Sequence, residues 1–257
     1  MSQFERLIQI MARLRGDDGC PWDQQQTHAS LRPYLIEETY EVIEALDGDD
    51  SRALCIELGD LLLQIVFHAR IAEEDGRFDV EDVARAICDK LEHRHPHVFA
   101  DTEVNSAAEV LVNWEQLKLQ EDDNADRTSV LDGIPAGLPA LQRAMVAQKK
   151  ASKVGFDWDD ADGPVAKIHE ELAELQEAAE SGDAEATSNE LGDLLFAVCN
   201  LARFLNTDSE TALREAVRRF ETRFRAMEQY AREQGKSMHE MDIDELEQLW
   251  QQAKDQE

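Results

Sequence analysis

ELGDLL, at residues 57–62, recurs letter for letter at residues 190–195. Each copy places a glycine between two carboxylates in a stretch whose apolar residues otherwise follow helical spacing. The same offset of 133 residues carries an upstream E-E-x-x-E motif at 37–41 onto 170–174 without a gap. A repeat of this length predicts that the chain is built from two copies of one helical unit.

Most of the chain follows the same helical pattern. Apolar residues recur at spacings of three and four, while alternating, strand-like runs are nearly absent. Residues typical of helix starts occur at three places: Ser30, which is followed by Pro33, then Asp79, and then Asp208. The sequence therefore predicts an all-α fold, with helices over residues 3–15, 31–46, 51–74, 80–94, 106–121, 137–153, 164–180, 184–205, 209–234 and 242–255.

The repeat also predicts the domain organisation. Residues 122–135, DDNADRTSVLDGIP, contain turn-forming residues and little periodicity, which is typical of a linker. We expect two tandem helical bundles, an N-terminal domain over 1–121 and a C-terminal domain over 136–257, joined by that linker. The four cysteines form no C-x-x-C pair, so reduced thiols are expected.

The charge of the chain excludes several classes of partner. Its 26 Lys and Arg against 56 Asp and Glu leave a formal net charge of −30, which would repel a nucleic acid or an anionic membrane. Charged residues interrupt the apolar positions of residues 1–15, and no apolar run approaches the length of a membrane span. We expect a cytoplasmic protein without nucleic-acid or membrane partners.

Five acids of the second copy fall on two consecutive helices. The connection contains Ser181-Gly182-Asp183, a helix stop followed by an N-cap, so the helices should fold back and bring their acidic faces together. Crowded carboxylates repel one another, and a hard divalent cation such as Mg²⁺, which prefers carboxylate oxygens, would relieve the repulsion. The pattern predicts a magnesium site among Glu170, Glu171, Glu174, Glu190 and Asp193.

The first copy carries an equally complete set of acids, so the motif alone does not show which copy is active. A glycine inside a helix costs about 1 kcal/mol relative to alanine. We expect close packing of another helix at Gly59 and Gly192 to offset that cost. The acids of the first copy are Glu37, Glu38, Glu41, Glu57 and Asp60.

These motifs together resemble a known family. The doubled E-E-x-x-E and E-L-G-D, with GCPWDQQQTH at 19–28 and KVGFDW at 153–158, are similar to MazG, a family of all-α nucleoside triphosphate pyrophosphohydrolases. The resemblance covers essentially the whole chain. It implies Mg²⁺-dependent cleavage of nucleoside triphosphates such as ATP between the α- and β-phosphates, giving a nucleoside monophosphate and pyrophosphate, in a homodimer of two-domain subunits.

The resemblance also implies roles for individual residues. It makes the C-terminal copy catalytic and the first copy a structural or regulatory duplicate, in which Lys90 and Arg94 would contact substrate if both copies act. Glu170 would be a further ligand or a base that orients water. The implied metal ligands are Glu171, Glu174, Glu190 and Asp193, and the implied substrate contacts are Lys118, His169, Arg219, Arg223 and Trp250, the last packing against the nucleoside.

Two other hypotheses fit the composition. An acidic helical interaction module would use its carboxylates for solubility and its apolar faces to hold a dimer, without catalysis. A di-metal carboxylate bundle with redox chemistry would need two Glu-x-x-His pairs, and only Glu92 with His95 fits. The sequence does not indicate base or sugar preference.

Overall fold

The computed structural model describes residues 1–48, 50–100, 104, 106, 109–110, 113–114, 117 and 128–256. Within these residues the regular structure is helical and no strand occurs, which confirms the predicted all-α class. The chain divides into two compact units, Met1–Ala125 and Asp126–Glu257. The division falls inside the stretch predicted as a linker, and the exact domain limits stay a prediction.

The first unit is built around one long helical hairpin. Its helices are α1 (Gln3–Leu14), α2 (Pro21–Gln25), α3 (Arg32–Asp47), α4 (Ser51–Glu74), α5 (Val80–Arg94) and α6 (Pro96–Phe99). Helix α3 packs along α4, and α1 covers the later part of α4. The core of this unit consists of Met11, Leu31, Val66, Phe67 and Ile71.

The second unit repeats this hairpin and adds a second helical pair. Its helices are α7 (Ala140–Ser152), α8 (Asp162–Ser181), α9 (Ala184–Phe204), α10 (Ser209–Glu233) and α11 (Ile243–Asp255), with a 3₁₀ turn at Met238–Glu240. Helix α8 packs along α9, α7 covers α9, and α10 pairs with α11. Met227, Ala231, Leu249 and Ala253 form the buried core between α10 and α11.

An aspartate cap starts the second helix of each hairpin. In the second unit Gly182 ends α8 in the left-handed conformation, with φ +74°, and Asp183 Oδ1 accepts hydrogen bonds from the amides of Glu185 and Ala186. In the first unit Asp50, at the matched position, caps α4 in the same way. The tight connections hold each pair of helices side by side, as the turn signals predict.

The boundaries of the longer described helices lie within a few residues of the predictions. The short helices α2 and α6 are additional, and each begins with a proline, whose fixed φ suits the first helical position. The predicted helix over 106–121 lies largely outside the described residues. The four cysteines are free thiols. Among the described residues, no helix combines the length and apolar content needed to cross a membrane.

The interpretation of the repeated glycines is wrong. A Cβ built on Gly59 or Gly192 meets no described atom within 4 Å. Leu58 and Leu191 beside them are about half exposed, at 48% each. No neighbouring helix within the described part of either unit therefore requires glycine at these positions.

Candidate active site

The second hairpin gathers the predicted acids into one cluster. Carboxylate oxygens of Glu171, Glu190 and Asp193 lie within 4.8 Å of one another, and the same holds for Glu170, Glu171 and Glu174. Glu171 belongs to both groups and is the buried member, with 4% of its surface exposed. Four of these acids sit around a shared, buried carboxylate, and oxygen-only donors at this spacing suit a hard divalent cation.

The electrostatics of the cluster show why a cation would stabilise it. Burial raises the pKa of Glu190, and the negative charges of Glu174, Glu171 and Asp193 raise it further. The three neighbouring charges therefore make ionisation of Glu190 harder. A divalent cation among the oxygens would reverse this effect by favouring the ionised forms.

Lys167 is a site residue that the sequence analysis missed. Its Nζ lies 2.5 Å from Glu171 Oε1 and 2.9 Å from Glu170 Oε1, one turn earlier on α8. Hydrogen bonds to these two carboxylates raise the pKa of Lys167 well above its usual range. The i, i+3 and i, i+4 spacing from Lys167 to the two glutamates was the available signal. The cluster thus contains its own positive charge.

A cavity of about 540 Å³ opens beside the acids. Glu171, Asp193 and Lys167 line it together with apolar and aromatic side chains, among them Val154, Phe156 and Trp158. The walls come from α7, α8, α9, residues 154–158, Val130 and Leu131. An apolar space with a few charged groups at its wall has the character of a small-molecule site.

Polar contacts hold the walls of this cavity. Gln148 on α7 donates through Nε2 to the carbonyl of Phe196 on α9 at 2.8 Å. Arg203 donates to both carboxylate oxygens of Asp157 and to Asn200 Oδ1, and it holds the pKa of Asp157 below its usual range. The 154–158 segment is therefore tied to α9, on which two of the clustered acids lie.

Glycine is required where this segment passes α8. A Cβ at Gly163 would lie 2.1 Å from Trp158 Cδ1 and 2.3 Å from its Cγ. The absence of a side chain at Gly163 lets the indole lie directly on the start of the helix. The position of Trp158 in the cavity wall depends on that contact.

The remaining predicted substrate residues lie elsewhere or outside the description. The Arg223 guanidinium lies 5.6 Å from the centre of the Trp250 ring, and Arg219 Nη1 lies 3.8 Å from Glu215 Oε2. These residues belong to α10 and α11, and none of them lines the cavity. His169 is exposed on α8 and also does not line it. Lys118 lies outside the described residues.

The first hairpin forms a smaller acidic cluster. Carboxylate oxygens of Glu38, Glu57 and Asp60 lie within 4.8 Å of one another, and all three residues are half-buried. Burial and the neighbouring charges of Asp60 and Glu41 raise the pKa of Glu38, and burial with Glu41 and Asp60 raises that of Glu57. Glu37 and Glu41 are exposed and lie outside the close group of three.

The fold and the second cluster define a class of protein: an all-α hairpin protein whose acids can hold a divalent cation beside an apolar cavity. A family model described as the MazG nucleotide pyrophosphohydrolase domain matches residues 26–99 and 163–226, which include both acidic clusters. The chain belongs to this family. The predicted family is confirmed, and the match falls on two segments, as the repeat implies.

Full-length relatives support the assignment. The chain is 48% identical to the nucleoside triphosphate pyrophosphohydrolase of Escherichia coli (strain K12) over 260 residues, covering 100% of this chain and 99% of that protein. It is also 48% identical over 251 residues to the nucleoside triphosphate pyrophosphohydrolase/pyrophosphatase MazG of Thermotoga maritima, covering 98% and 95% of the two chains. The aligned region of each relative therefore covers both hairpins.

Proposed function

We propose that the protein is a Mg²⁺-dependent hydrolase that converts nucleoside triphosphates to nucleoside monophosphates and pyrophosphate. The observation that carries the proposal is Glu171, a buried carboxylate shared by two groups of acids and facing a cavity of nucleotide size. Family membership and the names of the full-length relatives support the same reaction. The catalytic unit in this proposal is the C-terminal one.

The acids would hold the metal and the attacking water. Glu171, Glu174, Glu190 and Asp193 are the proposed ligands, since a carboxylate oxygen of Glu171 lies within 4.8 Å of Glu174 in one group and of Glu190 and Asp193 in the other. Bound Mg²⁺ would neutralise charge on the triphosphate and make the α-phosphorus more electrophilic. In this proposal Glu170, which is exposed beside Glu171, accepts the proton of a water that attacks the α-phosphorus while pyrophosphate leaves.

Lys167 would stabilise this arrangement from within. Its ammonium bonds Glu170 and Glu171, so it holds both carboxylates in position. It also lines the cavity, where it can contact an anionic substrate. In this proposal the Lys167 ammonium and the bound metal together neutralise the negative charge of the phosphates.

The nucleoside would occupy the cavity. Phe156 and Trp158 provide aromatic surface against which a base can pack, and Asn200 and Gln148 are polar groups in the same wall. This assignment differs from the prediction that Trp250 packs against the nucleoside. Arg219, Arg223, Trp250, His169 and Lys118 remain substrate contacts proposed from the family resemblance.

A product assay tests the reaction. Purified protein is incubated with Mg²⁺ and ATP, GTP, CTP, UTP or their deoxy forms, and the products are separated by ion-exchange chromatography. Monophosphate and pyrophosphate in equal amounts are expected, and their formation should stop when the metal is chelated. Diphosphate and orthophosphate, or no turnover together with stable partner binding as for an interaction module, would refute the proposal.

We further propose that the protein acts as a homodimer in the cytoplasm, with nucleoside triphosphates as its substrates. Leu191, Leu195 and Val198 share one face of α9 and are between 43% and 48% exposed, on the side away from Glu190 and Asp193. Contact with a second copy would bury them. Light scattering coupled to size-exclusion chromatography should give twice the 29.1 kDa chain mass, and a monomer would contradict this proposal.

A further inference from the structure

The cavity beside the second acidic cluster contains a side-chain amide whose orientation is fixed by a charged neighbour. Asn200 on α9 lines the cavity and is 7% exposed. Its Oδ1 accepts two hydrogen bonds from Arg203, one from Nη2 at 2.7 Å and one from Nε at 3.1 Å. A guanidinium only donates hydrogen bonds, so the oxygen of this amide must face Arg203 and the nitrogen must face away from it.

Arg203 is itself held from the other side. Its two terminal nitrogens donate to the two carboxylate oxygens of Asp157, with Nη1 2.9 Å from Oδ2. A bidentate pair of this kind leaves the guanidinium little freedom to rotate. The guanidinium carbon Cζ also lies 4.6 Å from the centre of the Phe204 ring. The contacts from Asp157 through Arg203 therefore set the direction of the Asn200 amide.

The amide nitrogen of Asn200 is left as a hydrogen-bond donor at the cavity wall. Within the part of the chain that the structure describes, both hydrogen bonds of this side chain are made by Oδ1, and Nδ2 donates to no group. A donor in a largely apolar wall loses water when a ligand enters, which is costly unless the ligand supplies an acceptor. The cavity therefore favours a ligand that presents an acceptor to Nδ2.

The position of Asn200 on α9 indicates which part of a nucleotide this donor meets. Asn200 follows Asp193 by seven residues, close to two full turns, so the two residues lie on the same face of the helix. The rise over seven residues is about 10 Å. Phosphates held by a metal at Asp193 are therefore about two turns away along α9, and the nucleoside is the part of the substrate that extends over this distance. The donor thus lies at the level of the base.

The first hairpin lacks this arrangement, although it keeps the arginine. The gapless repeat aligns Phe67 with Asn200 and Arg70 with Arg203. Phe67 is 3% exposed and belongs to the buried core, and Arg70 forms ion pairs with glutamates of its own helix. An arginine at this position of the hairpin therefore does not require an asparagine one turn earlier. The pair of Asn200 and Arg203 belongs to the second unit, where both residues line the cavity.

We propose that Asn200 recognises the base of the substrate by donating a hydrogen bond from Nδ2 to an acceptor atom on its edge. Arg203 is a positioning residue, which keeps the amide in this orientation through its pair with Asp157. The inference rests on the proposed binding of nucleoside triphosphates in this cavity. In adenine the acceptors are the ring nitrogens N1, N3 and N7, and one of them receives the hydrogen bond.

Nucleotide analogues that each lack one ring nitrogen test this hydrogen bond. The ligands are α,β-methylene ATP, in which the linkage that the proposed reaction cleaves is replaced by a stable one, and its 1-deaza, 3-deaza and 7-deaza forms. Their dissociation constants for the full-length protein are measured by isothermal titration calorimetry with Mg²⁺. One of the three deaza forms should bind the wild type about tenfold more weakly than the parent analogue, the scale of one lost hydrogen bond in a buried site.

Substitutions of Asn200 should remove this preference. Asn200→Leu deletes the donor at similar side-chain volume, so it should bind the parent about tenfold more weakly than the wild type does and the sensitive deaza form as tightly as the parent. Asn200→Asp places an acceptor against an acceptor and should weaken binding of the parent further. Asn206→Asp makes the same replacement at an exposed position just after α9, and this control should bind all four analogues as the wild type does.

Arg203 is tested by the ratio of the dissociation constants of the parent and the sensitive deaza form. Arg203→Met frees the amide to turn, so this ratio should move toward one. Arg203→Lys, whose ammonium can still donate to Oδ1, should restore part of the preference. An unfolded fraction lowers the stoichiometry of the titration and leaves the ratio as it is, so an unchanged ratio in Arg203→Met would show that Arg203 does not position the amide.

Three results would overturn the recognition of the base by Asn200. These are equal binding of all four analogues by the wild type, absence of binding, and a preference that survives in Asn200→Leu. Because the titrations measure binding of analogues that the proposed reaction does not cleave, their failure is distinguishable from failure of the proposed hydrolysis, which the product assay tests on the wild type with ATP.

Discussion

Lys167 Nζ lies 2.5 Å from Glu171 Oε1, so the buried carboxylate of the acidic cluster already has a positive partner. A metal at this site joins an existing ion pair. The ammonium offsets part of the repulsion among the five acids before any cation arrives, and it lies in the wall of the cavity where a triphosphate would carry its own negative charge. In the proposed mechanism this one residue would connect metal binding, substrate binding and the stability of the hairpin.

Replacing Lys167 with methionine should lower kcat/KM for a nucleoside triphosphate by about 10- to 100-fold. The loss of a hydrogen bond between charged groups accounts for a change of that size. Lys167→Arg, which keeps the charge with different geometry, should recover part of the activity. Steady-state kinetics measures both variants. Lys236→Met is the control, because it removes an exposed pair with Glu245 in the same unit.

The two copies should respond differently to the same substitution. Glu171→Gln removes the carboxylate shared by both groups of acids and should reduce turnover by about 1000-fold, the scale at which a principal charge-stabilising group contributes. Glu38→Gln changes the matched residue of the first hairpin. It should reduce turnover by a factor at least ten times smaller than Glu171→Gln does. The product assay, run on both proteins, compares them. Equal losses would indicate that both copies act in catalysis.

The stability of the metal-free protein should depend on pH through Glu190. The raised pKa of Glu190 means that the folded protein holds its proton more tightly than the unfolded chain. Ionised Glu190 therefore destabilises the fold, fully above its folded pKa and progressively less as pH falls toward the ordinary value of 4.5. Glu190→Gln should melt higher than the wild type at pH 8, and the difference should shrink toward pH 4.5.

The difference in melting temperature between Glu190→Gln and the wild type separates the effect of Glu190 from that of other groups that titrate in the same pH range. His68 has a pKa lowered by burial and by His28, so it favours stability at higher pH and opposes the trend in the wild type alone. Mg²⁺ should reverse the order at pH 8, since the wild type binds it and the variant has lost a ligand. A melting-temperature difference that stays constant from pH 4.5 to 8 would contradict the argument.

The fold and the acidic cluster were predictable because their signals are local. The distance between Glu174 and Glu190 in the sequence, together with Ser181, Gly182 and the capping Asp183, is enough to define a hairpin with acids on its inner face. The repeat then extends the same prediction to the first unit. These features depend on helical periodicity and turn chemistry alone.

The cavity was not predictable because its walls come from distant parts of the chain. Val130, Gln148, Trp158 and Asn200 meet only through packing of separate elements. No local sequence signal identifies Phe67, at the position matched to Asn200, as a core residue. The glycine interpretation failed for a related reason, since the helical pattern shows that Gly192 is unusual but does not show which surface it faces.

Gly163→Ala should weaken substrate binding more than it slows chemistry. The added Cβ would lie 2.1 Å from Trp158 Cδ1, so the indole must move out of its place in the cavity wall. We expect KM for a nucleoside triphosphate to rise by about tenfold with a smaller change in kcat, and the free energy of unfolding to fall by about 1–3 kcal/mol.

Gly192→Ala is the matched control. Its Cβ meets no described atom, so alanine should stabilise α9 by about 1 kcal/mol and leave KM unchanged. Kinetics and urea unfolding measure both variants, and an unchanged KM for Gly163→Ala would separate Trp158 from substrate binding.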